Sequence, residues 1–260
     1  MIALLLCALA TAAPVSVTSV YDGDTFTLGD GTKVRLAAVN TPELRPPEAY
    51  GLEARNAAET FLKGARIELD PNPPTDSYGR MISQAYVDGA SLSEHLVELG
   101  LAHVFLIPPV PDFHDVPALL AAQERAKGAN RGIWSTDRYR GDLHITSFHA
   151  NAAGDDRKNI NGEYLRICNI TGQALNVDGY WLTDATGGQW MFPALTIPPG
   201  HTVKVHSGKG VNAVDPKEQL AIYLNNERPI WNNRQDRATL YDRFGRVSDV
   251  RAHESAKAGH

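Results

Sequence analysis

A turn that carries two carboxylates lies between the first two strand-like segments of the chain. Asp22-Gly23-Asp24-Thr25 forms this turn, where the glycine lets the chain bend sharply so that both carboxylates can point toward one spot. Arg35 stands on the next predicted strand, which ends at Asn40-Thr41-Pro42-Glu43. Pro42 forces Thr41 into an extended conformation, which can turn the Thr41 carbonyl away from the sheet.

The residue types at these positions suit one kind of chemistry. The predicted Ca²⁺ ligands are all oxygen donors, namely Asp24, Asn40 and the Thr41 carbonyl. Glu43 is placed to hold or deprotonate a water, while Arg35 and Arg80, the latter in Tyr78-Gly79-Arg80, bring two guanidinium groups. Phosphodiester cleavage requires a cation that polarises a phosphate oxygen, arginines that neutralise growing charge and a carboxylate that prepares water.

Strands and helices must position these groups within residues 14–135. Alternating and β-branched runs predict strands over Val15–Val20, Thr25–Leu28, Lys33–Val39, Arg66–Asp70 and Met81–Val87. Apolar spacing and capping residues predict helices over Gly51–Leu62, from Ser91 to Gly100, and over Val116–Lys127. Five strands with interposed helices predict an α+β domain, a small OB-fold β-barrel with packed helices.

The remainder of the chain has a different organisation. After a polar linker predicted at residues 136–142, short strand-like runs recur between turn residues up to about residue 253, and no convincing amphipathic helix remains. The spacing predicts an all-β immunoglobulin-like sandwich over residues 143–253, followed by a disordered tail at 254–260.

Taken in order, the motifs of the first part resemble the staphylococcal nuclease (thermonuclease) family. The motifs are Asp22-Gly23-Asp24-Thr25, Arg35, Asn40-Thr41-Pro42-Glu43, Tyr50-Gly51 with Glu53-Ala54, Asp76-Ser77-Tyr78-Gly79-Arg80 and Gly132-Ile133-Trp134-Ser135. The resemblance covers essentially all of residues 15–135. It implies an OB-fold, Ca²⁺-dependent phosphodiesterase that acts on DNA and RNA.

The resemblance also implies a role for each matching position. Arg35, Glu43 and Arg80 match the family's catalytic residues, and Asp24, Asn40 and the Thr41 carbonyl match its calcium ligands. Asp22 would support the water shell of the cation. Asn40 departs from the aspartate of well-known members, so one ligand charge is lost and we expect weaker Ca²⁺ binding.

Tyr78 allows two interpretations. The ring is a candidate for substrate binding, since an exposed tyrosine can stack on a nucleic-acid base. A tyrosine that packs at the rim of the barrel is an equally good interpretation of the same residue.

The second part resembles the lamin-tail domain, an immunoglobulin-like sandwich. The resemblance covers roughly Gly141 to Ala252 and rests on Gly179-Tyr180-Trp181-Leu182-Thr183-Asp184, Pro198-Pro199-Gly200 and the segment from Trp231 to Gly245. Trp181 and Trp231 are predicted core residues. No catalytic constellation is visible, so the implied role is a module that binds nucleic acid, a protein or the cell surface.

Charge limits how the chain can engage nucleic acid. The formal net charge of the 260 residues is −5, which disfavours a protein that coats DNA by bulk positive charge. Through Ser135 there are ten Lys and Arg against sixteen Asp and Glu, so the acidity belongs to the first part. Weak, transient engagement of single strands is therefore the expectation, by a protein that we expect to be a monomer.

The N-terminal segment predicts export from a bacterial cell. Ile2–Ala10 is a short apolar run followed by Ala10-Thr11-Ala12, as in a signal peptide over residues 1–13, and it is too short to span a membrane. A positive residue before the run is missing, and a buried first strand is the weaker alternative. Removal of the leader takes Cys7 away and leaves Cys168 without an intrachain partner, as a buried packing residue.

Two other classes of function stay open. The chain could be a catalytically weak or silent nuclease-fold scaffold at the cell surface, or an adhesin whose function lies in the sandwich. Retention of Asp24, Arg35, Glu43 and Arg80 together favours an enzyme, because a scaffold has no use for all four.

Overall fold

The computed structural model describes residues 15–111 and 114–255, and the chain divides into two compact units between Ala102 and His103. The predicted signal peptide, residues 1–13, lies outside the described residues, as do residues 256–260 of the predicted tail. The domain bounds that were predicted at 135, 142 and 253 stay predictions.

Short strands and two helices build the described part of the first unit. The strands are β1 (Val17–Val20), β2 (Thr25–Leu28), β3 (Lys33–Leu36), β4 (Val39–Asn40), β5 (Glu68–Leu69), β6 (Met81–Ser83), β7 (Ala85–Val87) and β8 (Ala90–Ser91). The helices are α1 (Gly51–Leu62) and α2 (Leu92–Glu98). One sheet has the order β1-β2-β3-β6 and another the order β5-β7-β8.

Local sequence signals explain the hairpin and the helix starts. Asp30 accepts a hydrogen bond from the Thr32 amide at 2.9 Å in the β2–β3 turn, where Gly31 has a φ of 89°. The predicted cap of α2 is confirmed, since the Ser91 hydroxyl accepts from the Glu94 amide at 3.2 Å. Helix α1 has the predicted bounds.

Two strands that were predicted as continuous are each broken. Ala38, with a φ of 63°, separates β3 from β4, and Gln84 separates β6 from β7. The Gln84 amide donates to Asp70 Oδ2 at 2.7 Å, and its side chain donates to the Ala37 carbonyl at 2.9 Å. Gln84 therefore ties both breaks together with buried side-chain hydrogen bonds.

The part of the second unit that the structure describes contains one α-helix and two larger sheets. It comprises β9 (His103–Val104), α3 (Val116–Gly128), β10 (Leu143–His149), β11 (Tyr164–Asn169), β12 (Leu175–Asn176), β13 (Trp181–Thr183), β14 (Gln189–Met191), β15 (Thr196–Ile197), β16 (Thr202–His206), β17 (Leu220–Tyr223), β18 (Gln235–Tyr241) and β19 (Val247–Glu254). The sheets β10-β11-β16-β17 and β14-β13-β18-β19 enclose an apolar core. The predicted mixed fold class is confirmed, although the ladders of the described residues form separate sheets and close no barrel.

One of the residues that were predicted to be buried in the second unit is not buried. Trp231 is 4% exposed in the core, as predicted. The prediction for Trp181 was wrong, because its ring is half-buried and stacks on Tyr241 at 4.0 Å. Cys168 is buried as predicted, and burial raises the pKa of its thiol. Within residues 15–111 and 114–255, no helix has the length and apolar character needed to cross a membrane.

Residues between the two predicted domains pack closely in the second unit. Asp137–Tyr139 forms a 3-10 turn, and the buried Tyr139 ring stacks on His144 at 4.2 Å between centroids. His144 Nδ1 lies 2.9 Å from Asp249 Oδ2, and neither side chain is more than 1% exposed. This part of the predicted linker is therefore ordered against the sandwich.

Candidate active site

The two-carboxylate turn lies between β1 and β2. The Asp24 amide donates to Asp22 Oδ1 at 3.1 Å, and both carboxylates are buried. Gly23 is needed here for a reason other than the predicted sharp bend, since it is not among the residues with positive φ. A Cβ at Gly23 would lie 2.7 Å from Thr41 Cγ2 and 2.8 Å from Ala54 Cβ, so glycine permits a close approach of the turn to both.

The Asp24 carboxylate is the centre of the site. Arg35 on β3 pairs with Thr25 on β2, and its Nε lies 3.1 Å from Asp24 Oδ1. The Thr41 amide and hydroxyl donate to Asp24 Oδ2 at 2.8 Å and 2.9 Å. These charge-assisted bonds fix the orientation of the carboxylate and join three segments of the chain.

The last residue of β3 and both residues of β4 also bind Arg35. Its Nη1 donates to the carbonyls of Leu36 at 2.6 Å and Val39 at 2.9 Å, and its Nη2 donates to Asn40 Oδ1 at 3.0 Å. The side chain is 13% exposed. A guanidinium fixed in this way presents a preorganised positive charge, which a lysine could not reproduce.

Glu43 sits on a short loop that the next helix holds in place. The Glu43 amide donates to Glu48 Oε2 at 3.0 Å, and the Glu48 amide donates to the Glu43 carbonyl at 2.9 Å. Helix α1 begins close to this loop. A Cβ at Gly51 would lie only 2.8 Å from the Glu43 carbonyl oxygen, so glycine permits this close approach. Glu48 and Gly51 therefore position Glu43, and sequence reasoning assigned no role to Glu48.

Excess negative charge accumulates at Asp22. Burial raises the pKa of Asp22 to about 7, and the Asp24 and Glu43 carboxylates also raise it, whereas Arg35 and the Asp24 amide lower it. Asp24 and Glu43 are therefore close enough to Asp22 to act on it electrostatically, and Arg35 offsets their effect on the Asp22 pKa only in part. Such a site favours the approach of a cation.

The predicted calcium ligands offer the oxygen atoms that a hard cation prefers, but they carry little negative charge. Asp24, Asn40 and the Thr41 carbonyl offer only oxygen, and the Asn40 side-chain amide donates to that carbonyl at 3.4 Å. Among the described residues, no group of three or more His, Cys, Asp or Glu is arranged to hold a metal ion. The set includes one carboxylate, so the residues fit Ca²⁺ as an oxygen site of low ligand charge.

Arg80 and Tyr78 form a second group around Asp76. The Arg80 amide and Nε donate to the two Asp76 oxygens at 2.9 Å each, and Arg80 Nη2 lies 2.8 Å from Oδ2. The Tyr78 ring is 74% exposed, with the Arg80 guanidinium 5.4 Å from its centroid. Asp76 thus orients Arg80 just before β6, a role that the Asp-Ser-Tyr-Gly turn signal could have indicated.

The structure brings most of the predicted site residues into one hydrogen-bonded group. Five positions lie in one hydrogen-bonded group: Asp22, Asp24, Arg35, Asn40 and Thr41. Glu43 acts electrostatically on that group through Asp22. The contacts of Arg80 and Tyr78 described above involve Asp76 and each other. The individual roles of all these residues stay predictions.

Comparison with known proteins agrees with this division of the chain. The family described as staphylococcal nuclease homologue matches residues 33–136, and the lamin tail domain matches residues 136–255. Thermonuclease of Staphylococcus intermedius is 30% identical over 126 residues, which are 45% of this chain and 74% of that protein. The resemblance of both parts to their families is confirmed.

Two Bacillus subtilis (strain 168) proteins are similar over the same part of the chain. Endonuclease YncB is 30% identical over 134 residues, 48% of this chain and 63% of that protein. SPbeta prophage-derived endonuclease YokF is 29% identical over 134 residues, 48% of this chain and 45% of that protein. The chain therefore spans about half to two thirds of the length of these two relatives. On its motifs, its fold and its 30% identity across 74% of a thermonuclease, the chain belongs to the staphylococcal nuclease family and continues into a lamin tail domain.

Proposed function

We propose that this chain is a nuclease that hydrolyses phosphodiester bonds in DNA and RNA, with calcium and with little sequence specificity. The observation that carries the proposal is the buried ion pair of Asp24 and Arg35, bound to Thr41 and Asn40 and adjacent to Asp22. Membership of the nuclease family and the names of relatives, which include a thermonuclease and endonucleases, support it.

The residues of the site have two kinds of role in the reaction: some stabilise negative charge, and one transfers a proton. Arg35 stabilises negative charge that grows on the phosphate oxygens, and Arg80 supplies a second guanidinium. Glu43 accepts the proton of the attacking water as a general base. Asp24, Asn40 and the Thr41 carbonyl would hold Ca²⁺, which when bound polarises a phosphate oxygen. Asp22 accepts a hydrogen bond from the Asp24 amide and thereby stabilises the turn that carries Asp24, the one carboxylate among the proposed calcium ligands.

A direct assay tests the proposal. The purified chain should cleave single-stranded DNA in the presence of Ca²⁺ and lose this activity when a chelator is added. Glu43→Ser and Arg80→Ala should each reduce cleavage, with thermal unfolding measured to show that both variants fold. A folded chain without Ca²⁺-dependent cleavage contradicts the function, and full activity of both variants contradicts the assigned site.

The Asn40→Asp substitution is expected to lower the Ca²⁺ concentration needed for half-maximal cleavage. The new carboxylate adds ligand charge and still accepts from Arg35 Nη2, which lies 3.0 Å from Asn40 Oδ1. Asn56→Asp, which adds the same charge on the exposed face of α1, is the control. An unchanged Ca²⁺ dependence of Asn40→Asp would show that residue 40 is not a calcium ligand.

We also propose that the chain is exported and that its second unit binds or localises it, as the N-terminal run and the lamin tail domain suggest. N-terminal sequencing of protein recovered from the culture medium tests export, because cleavage near residue 13 is expected. A chain that stays in the cells with its first residues intact would contradict it.

A further inference from the structure

Two acidic side chains that precede β11 reach one later loop of the second unit, residues 230–233. Glu163 Oε2 accepts a hydrogen bond from the Ile230 amide at 2.9 Å. Asp156 Oδ2 accepts one from the side-chain amide of Asn233. These partners are 67 and 77 residues apart along the chain, so the fold gathers both carboxylates at the same loop.

The second oxygen of each of these side chains is buried and has no hydrogen-bond partner among the described residues. The three atoms are Glu163 Oε1, Asp156 Oδ1 and Asn233 Oδ1. Glu163 as a whole is 0% exposed. A buried oxygen that accepts no hydrogen bond is costly. Three such atoms on side chains that meet at one loop indicate a ligand that they share.

The negative charge of the two carboxylates is not balanced by the described part of the chain. Neither Glu163 nor Asp156 forms an ion pair there. Burial raises the pKa of Glu163, hydrogen-bond donors such as the Ile230 amide lower it, and the Asp156 carboxylate raises it. Asp156 is therefore close enough to act on Glu163 electrostatically, and its charge makes the burial of an ionised Glu163 more costly.

Exposed carboxylates of the same region do have cationic partners. Asp155 pairs with Arg157 at 3.0 Å, and Glu227 pairs with Lys209 at 2.9 Å. The unbalanced charge is thus a property of the inner pair, Glu163 and Asp156, and not of every acidic residue around it.

A proton and a metal cation are two ways to neutralise such a pair. A proton on Glu163 supplies one O–H donor for one hydrogen bond, so it leaves an oxygen of Asp156 or Asn233 without a partner. A divalent cation binds all three oxygens at once, and its charge equals that of the two carboxylates. Because the donors are carboxylate and amide oxygens without nitrogen or sulfur, they favour Ca²⁺ over Zn²⁺.

We propose that Glu163, Asp156 and Asn233 form a Ca²⁺ site of the second unit, which we call the β11 site. Water molecules complete the oxygen shell that Ca²⁺ prefers. The cation joins the segment before β11 to the loop that carries Trp231, a buried core residue. It stabilises the second unit and takes no part in cleavage, so the proposal does not depend on the proposed nuclease function.

Thermal unfolding of the full chain, followed by tryptophan fluorescence, tests the proposal. All four tryptophans lie after His103, so the signal reports on the second unit. Two ligand carboxylates suggest a Kd on the order of 10⁻⁴ M. About 10 mM Ca²⁺ is then expected to raise Tm by about 5–10 °C above its value in chelator.

Asp156→Asn is expected to lose most of this shift, because it removes one of the two ligand charges. Its amide oxygen can still accept from Asn233, and the repulsion of Glu163 is gone, so its Tm in chelator should not fall below that of the unaltered chain. Asp155→Asn removes the same charge from the exposed neighbouring residue, which pairs with Arg157, and should keep the full shift.

Asn233→Asp is expected to act in the opposite direction. A third carboxylate should lower Tm in chelator and enlarge the shift that Ca²⁺ produces, which a merely destabilising substitution would not do. Equal shifts in the unaltered chain and in Asp156→Asn overturn the proposal, and so does a Tm that Ca²⁺ does not raise. An equal shift with the same concentration of Mg²⁺ overturns the assignment to Ca²⁺.

A cleavage assay keeps the β11 site distinct from the proposed active site. Asp156→Asn should need the same Ca²⁺ concentration for half-maximal cleavage of DNA as the unaltered chain. A change in that concentration would contradict a purely stabilising site. A chain without nuclease activity still shows or lacks the shift in Tm, so the two proposals can fail separately.

Discussion

Glu43→Gln is expected to lower kcat for DNA cleavage by about 10²–10⁴-fold, with little change in KM. The amide keeps the shape of the side chain but cannot accept a proton from water. The contacts that hold the loop use the Glu43 backbone, whose amide and carbonyl both bond to Glu48, so the loop should keep its conformation. Initial rates over a range of DNA concentrations, at saturating Ca²⁺, measure the effect.

Glu59→Gln is the matched control for this prediction. Glu59 lies on the exposed side of α1, and the same change of charge and shape there should leave kcat unchanged. A loss of less than about tenfold for Glu43→Gln would show that Glu43 is not the general base. An equal loss in both variants would show that the chain responds to net charge and not to proton transfer.

The order of motifs was sufficient to predict most of the candidate site, because its residues lie at the ends of neighbouring strands. Asp24, Arg35 and Thr41 meet since β2 and β3 form a hairpin and the chain after β4 returns to the same turn. The part that could not be predicted concerns supporting contacts. Gly23 is required by the approach of Thr41 and Ala54, and contacts between distant segments leave no periodic trace in a sequence.

The fold was predictable where elements are long and fully amphipathic. Apolar spacing indicated α1 with its observed bounds, but the two-residue strands β12 and β15 span a single period of the strand alternation, which is too short to recognise. Trp181 shows a second limit. A large aromatic residue in a strand predicts burial, yet cross-strand stacking on Tyr241 shields its ring on the surface of the sheet just as well.

The segment around Tyr139 shows what composition alone does not reveal about a predicted linker. Thr136 to Asp142 is polar, which suits a short linker, and the structure adds that Arg138 Nε lies 3.4 Å from Asp249 Oδ1. Asp249 also accepts from the Ile145 amide at 2.7 Å. Arg138 and Ile145 are each more than 100 residues away from Asp249 along the chain. Polar residues that satisfy a buried charge look the same in sequence as polar residues that face water.

Asp249→Ala is expected to destabilise the second unit by about 3–5 kcal/mol, because it leaves the Ile145 amide without its acceptor and removes the carboxylate that lies 2.9 Å from the buried His144 Nδ1. All four tryptophans of the chain lie after His103, so tryptophan fluorescence during urea unfolding reports on this unit. Asp178→Ala, at an exposed position of the same unit, is the control and should cost little. Equal unfolding midpoints for Asp249→Ala and the unaltered chain would contradict the structural role of the buried pair.

The stabilisation that Asp249 provides should depend on pH, and the direction of its pKa shift predicts how. Burial alone would raise the pKa of Asp249, but His144, Arg138 and the Ile145 amide together hold it below its usual value. The folded pKa is therefore lower than the unfolded one, so this contribution is present above about pH 4 and is lost as the pH falls through the folded pKa. Asp249→Asn lacks this titration, and its deficit in unfolding free energy should shrink below pH 4. A deficit that stays constant down to acid unfolding would show that shape, and not charge, makes Asp249 stabilising.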